Sequence, residues 1–180
     1  MRGVLSCAVL SGKEQPVNIY ITGCPGTERA LALLNEHRAV LSERFPEFFL
    51  RRLETAGKKK AAPPEGDFYV REILKGGLFG ALWAAGEDLG CGLCVNVCDV
   101  PVMQEAVEIM ELYNENPYES SSAGIFLIIS SSEKKLPEGV VKIGETNNKK
   151  SRTVQGPAGI RYITPPGRQE KDIAVRSTAR

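Results

Sequence analysis

The sequence predicts one domain of the α/β or α+β class, with helices packed on a mixed sheet. Two observations carry this. Short runs with strand periodicity alternate along the chain with longer stretches whose apolar residues repeat at helical spacing. The chain of 180 residues, 42% hydrophobic and 25% charged, is also long enough to enclose a real core and ordinary for a water-soluble globule.

The segment 1–16 reads as a strand or a frayed start, and 17–168 as the domain. Val17 to Thr22 alternates with period two and predicts a strand. Gly23-Cys24-Pro25-Gly26 turns the chain, and Thr27 is an expected N-cap for a helix over 28–37. Leu31, Leu34 and Val40 fall on one face. Leu41 to Leu53 predicts a second helical stretch, interrupted or restarted at Pro46, with Phe45, Phe48, Phe49 and Leu53 as its apolar side. Residues 58–66, with three lysines and Pro63-Pro64, form an exposed loop. Phe68 to Val70 predicts a short strand. Leu78 to Leu89 predicts a helix stopped by Gly90. Leu93 to Val97 reads as a strand, and Pro101 as the first turn of a helix carrying Val102, Ala106, Ile109, Met110 and Tyr113. The apolar run Ile125 to Ile129 predicts a buried strand. Val140 to Ile143 predicts a short strand, Val154 to Ile163 a hairpin, and the tail 169–180 is loose.

Charge excludes some functions. Lys and Arg total 23 against 22 Asp and Glu, so nothing favours a nucleic-acid or membrane-surface partner. No apolar run reaches the roughly 20 residues of a membrane span, and the apolar stretch in Gly3 to Leu10 is short for a signal peptide and broken by Ser6. The expected location is cytoplasmic. Five cysteines, an odd number, argue against a disulfide framework.

The chemistry-bearing stretch is Lys75-Gly76-Gly77 and the helix that follows. A glycine turn at a helix N-terminus can hold a phosphate, because free N–H groups and the helix dipole point there. Lys75 and Arg71 would be the countercharges. The bland alternative is a packing turn, favoured where no hydroxyl donor accompanies the glycines. The spacing Cys91-x2-Cys94-x3-Cys98 resembles part of a ferredoxin cluster run, but Asp88 and Asp99 stand where Cys and Pro would be. A zinc site would need a fourth ligand from His37 or Cys24. The favoured expectation is no metal, with Cys94 and Cys98 as small residues of like parity on one strand. His37 is expected to interact with a helix dipole, and Glu105, Glu108 and Glu111 to form a solvated stripe.

Taken in order, Gly76 to Gly80, the helix from Pro101 to Tyr113, Asn116-Pro117-Tyr118, Ser122-Ala123-Gly124-Ile125-Phe126-Leu127-Ile128, Ile143-Gly144 and Arg161-Tyr162 with Pro165-Pro166-Gly167-Arg168 form a recognisable series. It resembles the C-terminal domain of the aminoimidazole ribonucleotide synthase superfamily, on the branch of the HypE-like hydrogenase maturation proteins. The resemblance spans roughly residues 13–170. It implies an α+β domain of α/β/α layers, a mixed sheet covered by helices. It also implies ATP-using relatives whose N-terminal domain supplies aspartates for Mg²⁺ and most of the dimer contact.

The sequence departs from that pattern in two places. Nothing before Val17 is long enough to be the N-terminal domain. The stretch that reads roughly His-Asp-x-Thr-x-Gly-Gly in relatives is Arg71-Glu72-Ile73-Leu74-Lys75-Gly76-Gly77 here. Leu74 cannot donate the hydrogen bond of a Thr hydroxyl. The expectation is therefore a stand-alone binding domain without ATP-dependent catalysis of its own and with no cofactor. It would self-associate as a homodimer, dock a partner or hold a phosphorylated ligand. Arg71, Glu72, Lys75, Gly76 and Gly77 are the candidate ligand-binding residues. The alternatives are an enzyme subunit using ATP and Mg²⁺ with a separately encoded N-terminal-domain protein, and a metal module at Cys91, Cys94 and Cys98.

Overall fold

A computed structural model describes residues 16–58, 62–66, 68–131 and 136–165. The expected N-terminal strand, part of the three-lysine loop, Pro166-Gly167-Arg168 and the tail lie outside the described residues. The α+β class and the mixed sheet are both present. The strands are β1 (Asn18–Thr22), β2 (Tyr69–Glu72), β3 (Gly92–Asn96), β4 (Phe126–Ser130), β5 (Val140–Asn147), β6 (Arg152–Gly156) and β7 (Gly159–Tyr162). The helices are α1 (Thr27–Glu36), α2 (Arg38–Arg44), α3 (Glu47–Gly57), α4 (Gly77–Leu89) and α5 (Gln104–Leu112).

One seven-stranded sheet runs in the order β2-β4-β1-β5-β3-β6-β7. Every neighbouring pair is antiparallel except β3 with β6. The continuous apolar run of β4 is buried along its whole length, because Leu127 and Ile129 pack in the core with α4 and Ile128 packs with Tyr20 and Phe68 on the other face. In β5 the register shifts opposite Ile19 and Tyr20, with Ile19 facing Gly144 and Tyr20 facing Lys142. Gly144 fits this bulge for lack of a side chain: a Cβ there would fall on the backbone of Cys94 and Val95.

Period-two alternation splits the sheet residues between two faces. Ile19, Ile21, Leu93, Val95, Leu127, Ile129 and Val154 meet Leu78, Ala81, Leu82, Ala85 and Leu89 of α4 in the main core. Tyr20 and Ile128 turn the other way and pack with Phe68. Helices α1, α2, α3 and α5 close a second core around Leu34, Leu41, Leu50, Leu53, Ile109 and Met110. Helix α4 ends as its sequence predicts, with Gly90 left-handed at φ 64°.

Several local expectations change. Gly26, left-handed at φ 83°, is the N-cap of α1, and the Thr27 hydroxyl donates to the Cys24 carbonyl instead of capping. Pro46 separates two helices, α2 and α3. Pro101 lies ahead of α5, whose N-cap is Met103. Strand β3 ends at Asn96, so Cys98 sits on a 3-10 turn, Val97–Asp99, and is exposed. Glu105 is not part of a solvated stripe: its side chain is 2% exposed and paired with Arg52 at 3.0 Å. His37 joins α1 to α2 and stacks on Tyr113 at 4.6 Å. No helix among the described residues is long and apolar enough to cross a membrane.

Candidate functional site

Antiparallel pairing brings three loops to one end of the sheet. The C-terminal ends of β1 and β2 both meet the start of β4, with Ile21 opposite Leu127 and Glu72 opposite Phe126. The turns leaving β1 and β2 therefore converge with the segment 118–125.

That segment is the hub. Ser122 is fully buried. Its hydroxyl accepts the Gly26 N–H at 2.8 Å and donates to the Ser120 carbonyl at 3.2 Å, while its own N–H donates to the Ile73 carbonyl at 2.8 Å. Two carboxylates satisfy its neighbours. Glu28 accepts the Ala123 N–H at 2.7 Å and Glu72 accepts the Gly124 N–H at 2.8 Å. Single-residue propensities flag neither Ser122 nor Glu28, whose partners are distant in sequence.

The glycine turn is left-handed at both positions, with φ 85° at Gly76 and 61° at Gly77. Neither a β-branched nor a bulky residue adopts these angles without strain. A Cβ on Gly77 would also fall on the backbone of Tyr118 and Glu119. Three of the N–H groups around the start of α4 have partners within the chain. Gly77 donates to the Leu74 carbonyl at 2.9 Å, Phe79 to the Tyr118 carbonyl at 3.3 Å and Gly80 to the Gly76 carbonyl at 2.8 Å. The Phe79 and Tyr118 rings stack 5.7 Å apart beside them.

The five candidate ligand-binding residues do not form one cluster. Lys75 is exposed beside the glycines, as is Leu74, which is 48% exposed. Glu72 is engaged by Gly124. Arg71 reaches the other end of α4, where it donates to Asp88 at 2.8 Å and to the Tyr69 hydroxyl at 3.2 Å. Asp88 lies eleven residues beyond Gly77 on the helix, about 16 Å along its axis. Arg71 is thus a fastener between β2 and α4. The Tyr69 hydroxyl donates to the same carboxylate at 2.8 Å. Burial, aided by the Asp88 carboxylate and opposed by Arg71, pushes this phenol up to about 12.

The cysteines are equally dispersed. Cys91 packs against the α4 core. Cys94 alternates to the opposite face of β3 from Leu93 and Val95, and Cys98 is exposed. Among the described residues no group of three or more His, Cys, Asp or Glu side chains could hold a metal ion.

With this arrangement in view, comparison with known proteins is informative only at the level of structure. No family model matches the sequence, and no curated protein does. Solved structures do match. Escherichia coli HypE, a hydrogenase maturation protein, superposes with a TM-score of 0.62 at 16% identity, over 88% of this chain and 52% of that one. HypE in a HypE–HypF complex matches with 0.54 at 18% identity, over 84% and 54%. Thiamine monophosphate kinase from Aquifex aeolicus matches with 0.51 at 16% identity, over 78% and 52%. The chain has the fold shared by these proteins. It spans about half the length of HypE and of the kinase. The expected resemblance therefore holds at the level of fold, in a chain whose glycine turn donates to its own carbonyls.

Proposed function

We propose that this chain is a binding domain built on half of a HypE-like fold, without ATP-dependent catalysis of its own. It works through self-association, docking or retention of a small phosphorylated ligand, and it acts in the cytoplasm. The observation that carries this reading is the occupied glycine turn. Gly77 and Phe79 donate to the chain's own carbonyls, and the space over Gly77 is filled by residues 118–119. A phosphate needs such donors free. Leu74 adds no hydroxyl to replace them. The test is a thermal melt of the chain with and without ATP and Mg²⁺, beside light scattering for its mass in solution. No nucleotide shift and a mass of two chains are expected. A saturable ATP-dependent rise in melting temperature overturns the non-catalytic reading.

A second reading has its own support. Lys75 and Leu74 are exposed beside the turn, and the chain matches only about half of HypE. In this reading a separately encoded N-terminal-domain protein completes an ATP- and Mg²⁺-using site around Lys75, Gly76 and Gly77, with Glu72 and Arg71 holding its frame. The HypE–HypF complex is a precedent for protein docking by a protein of this fold. Purification of the native protein followed by mass spectrometry and nucleotide analysis separates the readings. A stoichiometric partner carrying bound ADP or ATP favours the second.

A further inference from the structure

A cavity of about 490 Å³ opens between the β1–α1 turn and helix α3. It is separate from the hydrogen bonds that close the glycine turn. Its apolar lining comes from Met103, Ile125 and Ala56, with Cys24 beside them. Burial pushes the Cys24 thiol up, so it stays neutral near pH 7 and presents no charge to an anion.

Two guanidinium groups, Arg51 and Arg52, border the same cavity. Both are engaged through Nε, Arg52 by a buried carboxylate and Arg51, itself 72% exposed, by an exposed one. Arg51 Nε donates to Glu47 at 3.1 Å. Arg52 Nε lies 3.0 Å from Glu105, whose side chain is only 2% exposed. A buried carboxylate requires a fixed cationic partner, so Glu105 restrains Arg52 despite the exposure of its guanidinium. The terminal Nη groups of both arginines have no partner among the described residues. A planar fork held at Nε and open at Nη suits a tetrahedral or planar oxyanion, with two parallel N–H bonds. The cavity is open to solvent and of a size to seat a small organic molecule.

We propose that this cavity binds a small organic acid, its phosphate or carboxylate on the Arg51 and Arg52 forks and its apolar body against Met103 and Ile125. The proposal deepens the ligand-holding part of the function given above and places that ligand away from Gly76 and Gly77. A bare inorganic anion would leave the apolar lining unused, and a neutral aromatic would leave the forks unused. Both parts are required for tight binding.

The test is calorimetric titration of the full chain with phenyl phosphate and benzoate in parallel, against inorganic phosphate and phenol. One of the two acids binds at least about tenfold more tightly than either fragment control, and the better one identifies the head group. Arg51→Gln weakens that binding about tenfold with little change in melting temperature, because Glu47 is exposed. Arg52→Gln leaves Glu105 unpaired, so the fold-preserving version is Arg52→Gln with Glu105→Gln, and it weakens binding similarly. Arg161→Gln, a cation on β7, leaves binding unchanged. Equal affinity for phenyl phosphate and inorganic phosphate overturns the proposal. So does binding that survives both arginine changes but is lost on Lys75→Gln, which would return the ligand to the glycine turn. Absence of binding by either acid overturns the cavity proposal while leaving self-association and docking standing.

Discussion

The guanidinium of Arg152 lies 4.3 Å over the ring of Trp83, and the two side chains fasten β6 to α4. The contact depends on Gly86, one turn along the helix, where a Cβ would fall on the arginine's Nε. That Nε is buried with no hydrogen-bond partner among the described residues, while Nη2 meets Glu87 at 2.5 Å. The glycine in mid-helix is therefore a packing requirement of the sheet. It is set against the roughly 1 kcal/mol that glycine costs a helix relative to alanine.

Gly86→Ala should destabilise the domain by up to about 2 kcal/mol, the overpacking cost of about 1–3 kcal/mol less the gain of about 1 kcal/mol in helix propensity. Arg152→Met should change stability by less than about 1 kcal/mol, because the lost cation–π contact and the ion pair to the exposed Glu87 are offset by removal of an unpaired buried donor. In the double variant the alanine has room, so the two effects are not additive. Urea denaturation of the four proteins measures the coupling. Simple additivity would show that Gly86 does not answer to Arg152.

Gly77→Ala isolates the packing role of the glycine turn. Both Gly77 and Gly139 have positive φ, at 61° and 77°, but only Gly77 has backbone filling its Cβ position. Gly139→Ala should cost about 1–2 kcal/mol for the left-handed backbone alone. Gly77→Ala should cost more, by a further 1–3 kcal/mol or so of overpacking. Equal losses in chemical denaturation would mean that residues 118–119 move aside, and that the turn is open to a ligand after all.

Arg29 holds Glu115 through two hydrogen bonds, at 2.8 and 2.6 Å, linking α1 to the segment after α5. The hydrogen bonds from Arg29 hold the Glu115 carboxyl below the usual carboxylate range. A depressed folded-state pKa gives stability that is present above the unfolded value and lost as pH falls through the folded one. The pair is partly exposed, so its contribution is about 0.5–1 kcal/mol. Glu115→Gln should therefore lower stability by that amount at pH 7. The gap should close as the acid limb is descended below about pH 4. A gap that persists unchanged at pH 3, read from melts across the series, would assign the effect to something other than the ion pair.

The parts of the fold that were legible in the sequence are those encoded locally. The alternation of Val17 to Thr22, the apolar run entering β4, and the stripe from Leu78 to Leu89 with Gly90 behind it each declare an element without reference to the rest of the chain. What was not legible depends on partners distant in sequence. Glu105 looks solvated on a helical wheel, and only the packing of α3 against α5 buries it beneath Arg52. Thr27 has a good capping side chain, yet the left-handed Gly26 takes that position and turns the hydroxyl back to Cys24. Arg71 is close to Gly76 along the chain, but the strand carries its side chain to the far end of α4. The cavity draws its lining from residues near 24, 52, 103 and 125, a grouping that no spacing rule contains.

Ser122 gives the sharpest test of whether the three converging loops form one unit. Its hydroxyl is the acceptor for the Gly26 N–H and is fully buried, so Ser122→Ala leaves that donor unsatisfied. An orphaned buried donor costs about 1–3 kcal/mol. The Ser122 backbone bond to Ile73 and the carboxylate bonds to Ala123 and Gly124 do not pass through the hydroxyl. If each loop is held independently, the loss of hydrogen-exchange protection stays at Gly26. If the loops are one cooperative unit, protection also falls at Ser122, Ala123 and Gly124, together with the loss of global stability. The second outcome is expected, because Gly26 sets the start of α1, and α1 carries both Glu28, which holds Ala123, and Arg29, which holds Glu115. Exchange measured amide by amide at neutral pH distinguishes the two. Protection lost at Gly26 alone would show that the β1–α1 turn opens separately, leaving the end of the sheet as three independent loops.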